Sequence, residues 1–252
     1  MRNLFKRHRN ECPVDEETRI WMENSLIWLM NQFSEEFLLK EKTLTPTDAD
    51  FPVKLDHTEQ SAFETLKIIS SQMMIDPQSI DMNFYHQSPL HLNTGFGNTL
   101  ITKTEENEST TAGLYHGRQE DLRFAISIEY SQFLDIEKLI ATIAHELAHI
   151  KIVGEQRLKE NDENLIDLTT VFFGLGIFGA NAAFKFHSTQ NTWGYSNQGY
   201  FIQQEWGYAL ALYAYIRNET NPQWLKYVTK NVQSDFKKSM SYILENTDKV
   251  LV

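Results

Sequence analysis

The sequence predicts an α+β protein, mostly helical, in which a small sheet precedes one central helix and further helices lie at both ends. Three observations carry this. Apolar residues recur at helical spacing in long segments near both ends of the chain. The period changes over residues 81–130, where one alternating stretch stands out, and a capped amphipathic segment follows that stretch directly. No internal repeat or heptad array is present, so neither a solenoid nor a coiled coil fits.

Taken in order, Met1 to Asn10 is basic but lacks the apolar run of a secretory signal, and residues 1–12 read as a tail expected to be disordered. Glu16 to Leu39 carries Ile20, Trp21, Leu26, Ile27, Leu29, Met30, Phe33, Phe37 and Leu38 at helical spacing and predicts one long amphipathic helix. Thr45-Pro46 and Phe51-Pro52 mark a loop over Lys40 to Asp56. A second helix is expected from Thr58 to Met74, and Asp76-Pro77 opens the next turn or helix. Short extended segments follow at Met82 to Tyr85, Leu90 to Leu92 and Leu100 to Thr102, with a polar loop at Lys103 to Thr111. In Arg123 to Tyr130, Phe124, Ile126, Ile128 and Tyr130 alternate with smaller or polar residues, as in a half-buried strand. Asp135 is a good N-cap for the next helix, and Gly154 a stop.

That helix contains His145-Glu146-Leu147-Ala148-His149, whose residue types and spacing suit a catalytic zinc ion. Residues four apart share a helix face, so the two imidazoles converge on one metal. Glu146 then stands beside the position left open for water, where it can take a proton. A lone histidine beside the apolar stripe of Leu139, Ile140, Ile143, Leu147 and Ile150 would more often be a core or surface residue; two histidines bracketing a glutamate on a capped helix reverse that preference.

Two imidazoles leave a tetrahedral site one protein ligand short. Asp162 to Asp167 reads as the first turn of another helix, in which Glu163 and Asp167 are again four apart. One carboxylate would bind the metal and the other would accept the free N–H of a ligating histidine. The plain alternative is two solvated acids favoured by the helix dipole.

HELAH followed by Glu-x-x-x-Asp resembles the gluzincin clan of zinc metallopeptidases, the thermolysin-like enzymes and related small zincins. The resemblance covers residues 113–184, and the gap from Ile150 to Asp162 is shorter than in thermolysin. It implies a zincin-like core, Glu163 as third zinc ligand and Asp167 as the residue that orients a ligating histidine. It also implies that the strand before the metal helix forms the edge of a sheet over the cleft, making that strand and the turn near Gly113 to Gly117 a substrate rim. Related peptidases use a histidine or tyrosine outside the motif to bind the oxyanion, which makes His187, Tyr195 and Tyr200 the candidates here.

Gly174-x-Gly176-x-x-Gly179 matches a dinucleotide fingerprint nominally, yet it continues the helix begun near Asp162 and follows no strand. Small residues at close packing or a kink explain it better. Glu205 to Arg217 and Pro222 to Leu244 read as two closing helices. Domain organisation is then residues 13–80 as a helical portion and 81–252 as the metallopeptidase portion, the two able to form one compact domain.

A net charge of −11 disfavours nucleic acid and anionic membrane as partners, and 41% hydrophobic residues in a chain of 252 support one substantial core. Cys12 is the only cysteine, which excludes an intramolecular disulfide and a cysteine-based zinc ribbon; no activating neighbours mark it as a nucleophile. The longest apolar stretch, Val171 to Ala180, is too short to span a bilayer, and a cytoplasmic protein is expected. The expected function is peptide hydrolysis by metal-activated water on Zn2+, with a peptide or protein substrate. The alternative is an inactive zincin-like module that binds metal and serves regulation or protein interaction.

Overall fold

The computed structural model describes residues 11–53, 56–86, 91–93, 99–101, 112–189 and 201–251, the side chains of 91–93, 99–101 and 184–189 excepted. Eight α-helices are present among them: α1 (Glu16–Phe33), α2 (Glu35–Lys40), α3 (Glu59–Gln72), α4 (Ile136–His149), α5 (Glu163–Phe172), α6 (Gly176–Thr189), α7 (Gln203–Ile216) and α8 (Lys230–Glu245). Five strands are β1 (Ile80–Tyr85), β2 (His91–Asn93), β3 (Thr99–Ile101), β4 (Gly113–Arg118) and β5 (Phe124–Glu129). The mostly helical α+β expectation holds at this level. Among the described residues no helix is long and apolar enough to cross a membrane.

The chain divides into two compact units, neither of them continuous in sequence. The first comprises residues 1–52, 162–189 and 201–252, and its described part is helical. Its centre is α7, where Trp206, Tyr208, Leu210, Leu212 and Tyr213 are all buried; a helix apolar on every side belongs inside a bundle. Phe33 of α1 packs its ring against Phe172 and Phe173 at 5.7 and 5.1 Å between centroids, which fastens α1 to the end of α5. The buried Glu23 carboxylate is satisfied inside this unit by Arg19 Nη1 at 2.8 Å, Tyr208 Oη at 2.6 Å and the Leu251 N–H at 3.2 Å.

Three expected helices are interrupted here. The segment from Glu16 to Leu39 breaks at Ser34, which caps α1 by donating its N–H to Met30 O and then adopts φ 88° and ψ 127° before α2 starts. Apolar spacing continues through the break because Phe37 and Leu38 still point inward, so the pattern alone hides it. A serine at that φ is strained, and Ser34→Gly should raise stability by about 1 kcal/mol, read as a higher urea midpoint with unchanged slope. The helix begun near Asp162 ends at Phe173, with Gly174 at φ 74°, and restarts at Gly176. Added Cβ atoms at Gly176 and Gly179 would come within 3.1 Å of Leu210 and 2.4 Å of Trp206, so these glycines admit α7. The Pro222 to Leu244 segment is a 3-10 turn at Gln223–Tyr227 followed by α8.

The second unit comprises residues 53–161 and 190–200. It contains a three-stranded mixed sheet of order β1-β5-β4, with α3 and α4 packed together and α4 against β4. β1 pairs parallel with β5, Ile80 opposite Phe124, and β4 pairs antiparallel with β5, Leu114 opposite Ser127. A separate antiparallel pair joins β2 and β3. Two expectations are corrected: β5 is the central strand and not the edge, and Gly113 to Gly117 is not a turn but most of the edge strand β4. Ile126 and Ile128 of β5 are fully buried, two residues apart on one covered face of the strand.

Candidate metal centre

Asp135 caps α4 by accepting from the Glu137 N–H at 3.1 Å, and Leu139, Ile140, Ile143 and Leu147 bury one face of the helix. With that face fixed, His145, Glu146 and His149 have no rotational freedom left about the helix axis. The two imidazoles converge: Nε2 of His145 and Nε2 of His149 are 3.3 Å apart, and the ring planes stand at 76° to each other. Two nitrogens bound at about 2.0–2.1 Å on a tetrahedral ion would be separated by about 3.3–3.4 Å. The pair is thus already spaced as two ligands of one ion, at a distance longer than the usual hydrogen bond.

Glu163 is the first residue of α5, whose N-cap Asp162 accepts from the Leu165 N–H at 3.2 Å. With the two histidines it makes a His-His-carboxylate set, the residue types that could hold a metal ion. His149 is buried, while His145 and Glu163 are partly accessible. Asp167 is outside this group; it is buried, and its Oδ2 accepts from the Phe201 N–H at 3.2 Å. His187 falls in the last turns of α6 where only the backbone is described, and Tyr195 and Tyr200 lie outside the described residues.

Glu146 is buried against the start of β4. A Cβ at Gly113 would stand 2.6 Å from Glu146 Oε1, 2.9 Å from its Cγ and 2.7 Å from Thr142 Cγ2, so only a glycine lets the strand pass this close to the carboxylate. Gly113→Ala should cost about 1–3 kcal/mol of stability through overpacking, measurable as a lowered thermal midpoint.

Beyond His149 the helix widens into a π-helical turn, Ile150–Gly154, closed by the Glu155 N–H donating to Ile150 O at 2.8 Å. Lys151 is buried in that turn and pairs with Glu155 at 2.7 Å. Gly154 ends it as expected, for a packing reason: a Cβ there would lie 2.8 Å from both Tyr115 Oη and Phe124 Cε1. Tyr115 of β4 lies parallel to His149, with 5.7 Å between ring centroids and 3° between planes. Burial pushes the Tyr115 phenol above its ordinary range, partly offset by Arg118, so the ring is neutral.

The outward side of β4 is also defined. The Glu129 N–H donates to Ala112 O at 2.9 Å, and antiparallel pairs alternate, so Leu114 turns its N–H and C=O toward β5 while Gly113 and Tyr115 turn theirs away. Among the described residues β4 pairs with β5 alone. A register shift between Tyr115 and Arg118, with Gly117 at φ 81°, ends the regular stretch. Sequence reasoning missed Tyr115 and the tight fit at Gly113, because both depend on a strand register set some thirty residues away from the histidines.

Cys12 shows no nucleophilic setting: burial raises its thiol above the ordinary range, away from thiolate. No family model matches the chain, and no curated protein or solved structure is detectably similar to it.

Proposed function

We propose that the chain is a zinc-dependent metallopeptidase of the gluzincin type, in which His145, His149 and Glu163 hold the ion. The observation that carries the reading is the convergence of two imidazole nitrogens, 3.3 Å apart, on a helix that also bears the buried Glu146. A His-His-carboxylate set with room for a water is the donor chemistry of catalytic zinc, whereas structural zinc takes four protein ligands, mostly sulfur.

When bound, zinc acts as a Lewis acid toward a scissile carbonyl and acidifies a water beside it. Glu146 takes one proton from the attacking water as the C–O bond forms, and returns a proton to the departing nitrogen as the C–N bond breaks. The second proton of the water leaves the new carboxyl group for the amine, so the products are one carboxylate and one ammonium group, and Glu146 ends as it began. Gly113 keeps the Glu146 side chain against β4, so the base is positioned by steric fit on one side.

A peptide substrate is favoured over a small ester or amide by the edge of β4. The outward N–H and C=O groups of Gly113 and Tyr115 offer the hydrogen bonds that an added strand uses, and the same residues face Glu146 and His149. Metal analysis of purified protein, followed by incubation with a diverse peptide mixture and mass-spectrometric detection of new termini, tests the proposal. About one zinc per chain and cleavage that stops with chelator and returns with zinc are expected. Protein that binds no divalent metal and cuts nothing would overturn it, and zinc binding without cleavage would support the non-catalytic module.

A further inference from the structure

We infer that Tyr115 is a positioning residue for the ligand His149, holding the plane of its imidazole by parallel stacking from the edge strand. The inference rests on the metallopeptidase reading and concerns the same site. An imidazole attached to an sp3 carbon turns through a broad range about its last torsion, yet a metal ligand must aim its nitrogen lone pair at one point. Helix geometry fixes where His149 begins and leaves its plane to the neighbours. The Tyr115 ring supplies a flat boundary, 3° from parallel at 5.7 Å between centroids, within the range of offset aromatic pairs.

Two features keep Tyr115 in place. Its backbone is paired in register, Tyr115 opposite Ile126 and Leu114 opposite Ser127. Its phenol end is lodged over the π-helical turn that directly follows His149, in space that exists because Gly154 has no side chain; a Cβ there would meet Tyr115 Oη at 2.8 Å. The stack therefore links β4, which carries the outward-facing Gly113 and Tyr115 amides, to the helix that carries the histidines. An aliphatic residue could fill the half-buried volume at position 115, but it has no flat face to set a ring plane.

The test compares Tyr115→Phe, which keeps the ring, with Tyr115→Leu, which keeps apolar bulk only, and uses Leu114→Ala on the exposed face of β4 as the control for a disturbed strand. Zinc affinity is measured by competition with a chromogenic chelator, and the visible absorption of the cobalt-substituted protein reports ligand geometry independently of activity. Tyr115→Phe and Leu114→Ala should match the parent within about twofold, while Tyr115→Leu should bind zinc about two- to tenfold more weakly with a changed cobalt spectrum. Should Tyr115→Leu fail to fold, Tyr115→Met carries the same readings. Parent-like affinity and spectrum in the non-aromatic variant would overturn the role of Tyr115 while leaving the metal site standing. Failure of the parent protein to bind zinc or cobalt would remove both.

Discussion

Glu146→Gln should lower kcat by about 10²–10⁴-fold and leave zinc content at the parent level. Glutamine is nearly isosteric with glutamate, so it fits the same tight space against Gly113, where Oε1 and Cγ already limit how near the strand can come. It cannot accept a proton, which is the whole of the assigned role. Neither histidine is altered, and their 3.3 Å spacing is set by α4 and its buried apolar face, in which residue 146 takes no part through its carboxylate. Single-turnover cleavage of a peptide identified by the screen, together with metal analysis of the same preparation, separates the two effects. Activity equal to the parent would remove Glu146 from the mechanism; loss of metal along with activity would make it a structural residue. Gly113→Ala should move the same carboxylate without changing its chemistry, giving a smaller fall in kcat than Glu146→Gln and the same zinc affinity.

The contrast between what could and could not be read in advance follows the range of each interaction. HELAH was legible because its determinants are local: an i, i+4 spacing, an N-cap at Asp135 and an apolar stripe lie within one helix and fix one another. The same holds for Thr58, which caps α3, and Asp76, which caps the turn at Pro77–Ser79. By contrast, β5 showed its alternation in sequence but not its rank in the sheet. Its central place is set by β1, some forty residues earlier, pairing along its other side. Edge and centre look alike to a period of two, so the outer position passed to β4 only once the pairing was known.

Helix breaks were hidden for a related reason. Ser34 separates α1 from α2 although the residues on either side keep helical spacing, because Phe33 at the end of α1 and Leu38 of α2 are both buried. Gly174 breaks the next helix pair at a positive φ, and the glycines after it yield room to Trp206 and Leu210. The sequence advertised the small residues without naming what they would admit. Tyr115 belongs to the same class: an aromatic residue in a strand is ordinary, and its stacking on His149 arises from a register that no local pattern encodes.

Glu163→Ala and Asp167→Ala should differ in what they lose without metal, although both remove a carboxylate from α5. Structural zinc binding of about 10–16 kcal/mol divided over four ligands gives about 3 kcal/mol each, so Glu163→Ala should weaken zinc by roughly 10²-fold. Glu163 is partly accessible at the first position of its helix, where truncation removes little buried contact, and the metal-free variant should lose less stability than metal-free Asp167→Ala. Asp167 is buried and accepts the Phe201 N–H through Oδ2. Its removal leaves that donor without this acceptor in the protein interior, at about 1–3 kcal/mol, and this loss should be present with or without metal. Were Asp167 also to orient a ligating histidine, as the resemblance implies, its removal would lower zinc affinity by about 10–100-fold as well. Thermal midpoints of the metal-free proteins and zinc competition titrations read the two quantities separately. A Glu163→Ala protein that keeps parent zinc affinity while Asp167→Ala loses it would exchange the two roles, and with them the assignment of the third ligand.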